Sequence, residues 1–75
     1  MIDKILFDYR KLRGRIIEKF ETQGNFAGII GMTERNLSLK LNNGVSFTQK
    51  DIIQWCDILE ISTDEIPAYF FTRKV

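Results

Sequence analysis

Apolar residues recur at helical rather than strand spacing over most of this 75-residue chain, and a single proline, Pro67, interrupts it. Tyr9, Leu12, Ile16, Ile17 and Phe20 fall on one side of a first helix that Asp8 is placed to cap. Its opposite face carries Arg10, Lys11, Arg13, Glu18 and Glu21, and Gly14 inside it marks an expected close packing contact. Thr22 caps a second helix, Gln23 to Ile30, with Phe26, Ala27 and Ile30 inward, and Gly31 breaks it. Thr33 caps a short third helix, Glu34 to Asn42, with Leu37 and Leu41 inward. Asn42-Asn43-Gly44 ends it, since Asn and Gly enter the left-handed conformation cheaply. Thr48-Gln49-Lys50-Asp51 reads as a capping box that opens a fourth helix running to Leu59. That helix is expected to bury Ile52, Ile53, Cys56 and Leu59, with Trp55 at the core's edge. Ser62-Thr63-Asp64-Glu65 is a second box, starting a turn of helix that Pro67 is expected to end, and Tyr69 to Val75 reads as extended. The fold class is therefore all-α: a compact bundle of about five short helices with an extended tail.

Composition narrows the function. Seventy-five residues leave room for one domain, and 44% hydrophobic with 28% charged residues is an ordinary globular balance. There is no histidine and one cysteine, Cys56, so no disulfide, zinc knuckle or histidine-based nucleophile pair can form within the chain. No metal, cofactor or small-molecule substrate is expected. No apolar run reaches the ~18 residues of a membrane helix, and no signal peptide is read at the N-terminus, so a cytoplasmic binding module is favoured over an enzyme. The net charge of +1 hides an asymmetry. Residues 1–50 hold nine basic and five acidic side chains, residues 51–75 two and five. The acidic stretch Asp51–Glu65 reads as helix caps and solvated surface.

The basic half contains the informative window, TQGNFAGIIGMTERNLSLKLNNG at Thr22–Gly44. Two short helices joined by a tight turn can push the second into a DNA major groove. Ala27 is small where the helices cross, Gly31 sits where the chain changes direction, and Leu37 and Leu41 hold the third helix down. A step of ~100° per residue then turns Arg35, Leu39 and Asn42 outward, flanked by Asn36 and Ser38, with Glu34 at the tip. Arg can fork onto guanine, Asn can pair with adenine, Glu can accept from a cytosine amine, and Leu can touch a thymine methyl. An amphipathic helix with a merely polar outer face would look similar.

This window resembles the helix-turn-helix of Cro/CI-type phage repressors, the lambda-repressor-like DNA-binding domains. More narrowly, the chain is similar to small phage-encoded Cro-like regulators through FDYRKLRGRIIEKF (Phe7–Phe20), NFAGIIGMTERNLSLKLN (Asn25–Asn42), FTQKDI (Phe47–Ile52) and YFFTRKV (Tyr69–Val75). The resemblance implies one such domain over residues 1–75, a transcription-regulating role, and a bacterial host cytoplasm as its location. Carried over by position, the base-reading residues are Glu34, Arg35, Ser38 and Leu39, with Thr33 and Asn36 beside them. Gln23 matches a phosphate-contacting position, which a helix N-terminus favours. Lys40 and Asn42 join it as DNA-backbone contacts on geometry alone. The chain departs from the group at Glu21 and Asn43, where a glycine is usual, so each helix end is closed by a residue bearing a Cβ.

The expected partner is operator DNA, read by a homodimer, because one such unit spans only a few base pairs. Tyr69, Phe70, Phe71 and Val75 are candidates for the dimer interface, since neighbours on a strand point to opposite faces. The competing arrangement folds the tail over its own chain beside residues 2–7. The rival function is a module of the same fold that binds another repressor instead of DNA. The two differ in charge: a DNA reader gathers positive potential around Arg35, Lys40 and the start of the second helix.

Overall fold

A computed structural model describes residues 5–74. The chain forms α1 (Arg10–Phe20), α2 (Gln23–Ile30), α3 (Glu34–Leu41), α4 (Gln49–Leu59), a single 3₁₀ turn (Thr63–Glu65) and α5 (Ile66–Phe70). Four cap predictions hold, the Ser62–Glu65 box among them at the 3₁₀ turn. Thr22 accepts from the Asn25 amide, Thr33 from the Asn36 amide, and Thr48 with Asp51 closes a reciprocal capping box. α1 starts one residue later than a cap at Asp8 requires: Tyr9 holds the cap position, and the Asp8 carboxylate takes the Arg10 amide at 2.9 Å. The two departures, Glu21 (φ 70°) and Asn43 (φ 64°), take the positive φ that the missing glycines would have supplied, as does Glu60 (φ 56°) at the end of α4.

The core is aromatic at its centre. Trp55 is fully buried, not marginal. Its ring stands edge-on to Phe26 (centroids 5.0 Å apart) and to Phe47 (4.8 Å), and Phe47 in turn meets Phe70 and Tyr9. The inward stripe of α4 is Ile52, Trp55, Cys56 and Leu59, the i, i+3, i+4, i+7 rows of one helix face. Ile53 therefore points away and is 62% exposed. Ile17 is turned out in the same way, one ~100° step past the buried Ile16. Gly14 marks no contact, because a Cβ there would have nothing within 4 Å.

The C-terminal region differs most from expectation. Pro67 begins α5 instead of ending a helix, since its missing N–H falls among first-turn donors that have no intrahelical acceptor. Tyr69 and Phe70 are consequently helical and buried in their own chain, which removes both from the candidate dimer interface. Phe71 follows the helix and stays half exposed, and Val75 lies outside the described residues. The extended part is short: Phe7 and Arg73 form an isolated antiparallel bridge, with the Asp8 amide on the Thr72 carbonyl (2.7 Å) and the Lys74 amide on the Leu6 carbonyl (2.9 Å). The tail thus pairs with its own N-terminal segment.

Candidate recognition face on α3

α2 and α3 meet through a turn whose geometry the sequence dictates. Gly31 is left-handed (φ 72°), and Met32 returns its amide to the Ala27 carbonyl at 2.9 Å. Ala27 is buried at the crossing, and Leu37 and Leu41 anchor α3 from beneath. Thr33, Glu34, Arg35, Asn36 and Leu39 are exposed, and Ser38 is half-buried. All six predicted reading residues therefore share the outer side and rim of one short helix.

The three backbone-contact candidates are placed differently. Lys40 is buried, and its ammonium donates to Asp51 Oδ2 at 2.7 Å and to the Ser46 carbonyl at 3.2 Å, over the Phe47 ring. Asp51 is both the capping-box acid of α4 and the partner of Lys40. Burial alone pushes its carboxyl up, but the Lys40 and Thr48 hydrogen bonds outweigh that and hold it below its ordinary value. Lys40 is therefore a structural tie from α3 to α4, not a free cation. Asn42 is exposed, yet its amide is occupied: Oδ1 accepts from Arg13 Nη2 at 2.6 Å, and Nδ2 donates to the Ser38 carbonyl. Gln23 is half-exposed at the start of α2, but the Glu34 carboxylate lies over that first turn. A Cβ on Gly24 would stand 3.2 Å from Glu34 Oε1, so Gly24 is the residue that lets the acid settle there.

Sequence reasoning missed the supports of this face. Arg13, read as solvated, donates to the Leu41 carbonyl at 3.0 Å and closes the C-terminus of α3. Asn43 uses both ends of its amide on Phe7, accepting from the Phe7 amide and donating to the Phe7 carbonyl, each at 2.9 Å. The sequence signal at Asn43 was an asparagine in a glycine position. Arg13 left none, because helical spacing put it on the polar side. The Cys56 thiol is buried and pushed up by that burial and by Asp57, an inert core group. No helix among the described residues is long and apolar enough to cross a membrane.

With this geometry, the chain is a small all-helical protein built around an exposed, N-capped third helix. The profile of the family described as protein of unknown function (DUF739) matches residues 5–73, and the chain belongs to that family. It is also similar to the modulator of repression (MOR) of the temperate bacteriophage TP901-1 from Lactococcus lactis, known from a solution structure. The two share 45% identity over 87% of this chain and 88% of that one, with a TM-score of 0.78. No curated protein sequence matches.

Proposed function

We propose that this chain is a helix-turn-helix regulator of phage repression whose α3 face docks on a repressor protein. The observation that carries this is the fate of two of the three places where phosphate was expected. Lys40 is neutralised by Asp51, and the start of α2 is covered by the Glu34 carboxylate. Arg35 is then the one cation on α3 without an ion-pair partner among the described residues, and Glu34 sits next to it in the chain. The same side of the molecule exposes Leu39, which leans on the following turn at Gly44. A face of Thr33, Arg35, Asn36 and Leu39 with little net charge suits a protein surface better than a phosphate backbone. A neighbour titled a modulator of repression supports a role exerted on a repressor.

A second reading, direct operator recognition by a homodimer, is favoured by the outward Arg35 and Asn36 on a short N-capped helix, the kind of element that can enter a major groove. One gel-shift series separates the two. A phage repressor is bound to its operator, and the chain is titrated in with Arg35→Ala and Asn36→Ala as controls. Docking predicts that the native chain changes the repressor–operator band and that both variants do so less. An unaltered repressor band, together with base-selective binding of random duplexes by the chain alone, overturns docking in favour of operator reading.

A further inference from the structure

A cleft of about 400 Å³ opens between the N-terminal segment, the start of α1, the end of α3 and the tail. Its lining is mostly polar: Arg10, Arg13, Lys74, Asn42 and Asn43, with Asp8 as the one acid among the described residues. Three cations against one carboxylate is a marked local excess in a molecule whose net charge is +1. The cleft's walls are fixed. Asn43 is clamped to Phe7, Lys74 is held by its backbone on Leu6, and Arg13 is tied to the last turn of α3. Arg13 spends part of its guanidinium on Leu41 and Asn42, whereas the charges of Arg10 and Lys74 face solvent. The Arg10 side chain is 91% exposed and comes no closer than 3.8 Å to the Asp8 carboxylate, and Lys74 is exposed without an ion-pair partner among the described residues.

We propose that this cleft is a nucleic-acid backbone site, in which Arg10, Arg13 and Lys74 neutralise phosphates of a duplex passing the C-terminal end of α3, irrespective of sequence. Solvent-exposed cations on the rim of a polar cleft gain affinity by releasing counterions from a polyanion, which needs charge but no fixed fork. A carboxylate from a protein partner would instead favour a desolvated, two-pronged arginine. Here the Arg13 fork is already engaged by Leu41 and Asn42. The assignment goes beyond the docking role of α3 and uses different residues. It gives the chain a DNA affinity that the α3 face, with its neutralised Lys40, does not supply.

Fluorescence anisotropy of a labelled random duplex of about 20 base pairs, followed from about 50 to 300 mM salt, tests this. Log K falls by ~0.9 for each phosphate neutralised. The native chain is expected to show a slope of about −2 to −3, and Arg10→Ala and Lys74→Ala to flatten it by ~0.9 each. Arg35→Ala is expected to leave it unchanged, and Arg10→Lys to preserve it. Arg10 and Lys74 are exposed, so circular dichroism should report intact helices in each variant. No duplex binding at 50 mM salt overturns the proposal, as does an unchanged slope in Arg10→Ala and Lys74→Ala. So does binding of a glutamate-rich peptide where the duplex does not bind. Failure of repressor docking appears instead in the Arg35 and Asn36 variants, on a different probe, so the two readings fall separately.

Discussion

At the scale of single residues, backbone conformation decides which substitutions the chain welcomes. Gly14 lies within α1 with open space where a side chain would go. Gly14→Ala is expected to raise stability by about 0.5–1 kcal/mol, read as a higher denaturant midpoint at unchanged slope. Asn43 and Glu21 share a positive φ but not a fate. Asn43→Gly relieves the backbone yet loses both hydrogen bonds to Phe7, each contributing about 1 kcal/mol, so net destabilisation is expected. Glu21→Gly relieves the same strain with no side-chain hydrogen bond to lose, and the midpoint should rise. A midpoint that rises in Asn43→Gly as it does in Glu21→Gly would show that the Phe7 clamp contributes less than the backbone strain costs. The glycine-like character of both positions was visible in the sequence. What closes on Asn43 was not, because its partner lies 36 residues away and no local pattern encodes that pairing.

At the scale of elements, α3 is held to α4 by one ion pair. Removing Asp51 leaves the Lys40 ammonium in a poorly solvated place, and Asp51→Asn is expected to cost about 2 kcal/mol near neutral pH. The Asp51 carboxyl titrates below its ordinary range when folded, so its contribution is complete above that range and is lost as pH falls through the lowered value. The difference in thermal midpoint between native chain and Asp51→Asn should therefore shrink between pH 7 and pH 3; a constant difference would contradict the pairing. The helices themselves were legible because each carries its own cap and apolar stripe. α5 was misread since three aromatics after a proline look like a strand, and only the Trp55–Phe47–Phe70 cluster makes a five-residue helix worthwhile. A chain ending at Ala68 loses Tyr69 and Phe70 from the core and should not fold. One ending at Phe71 loses only the bridge to residues 6–8 and should keep near-native helicity by circular dichroism.

At the scale of the whole molecule, the fold class and the outward set on α3 followed from periodicity, but the charge distribution did not. Counting lysines placed Lys40 on the surface, whereas a matching acid eleven residues later drew it inside. The cleft went unseen because its cations come from both ends of the chain, at Arg10, Arg13 and Lys74. Self-association through the tail now rests on Phe71, half exposed beside Ile5 and Val45. Phe71→Ser is expected to fold normally and to weaken any concentration-dependent association in sedimentation; identical profiles would place that association elsewhere. The bridge between Phe7 and Arg73 has a practical side as well. It brings Phe7 and Arg73 together beside the cleft that Arg10 and Lys74 line. A purification tag or surface linker at either end would crowd Arg10 and Lys74, and immobilised protein would under-report their contacts. Binding to this protein is best measured untagged and in free solution.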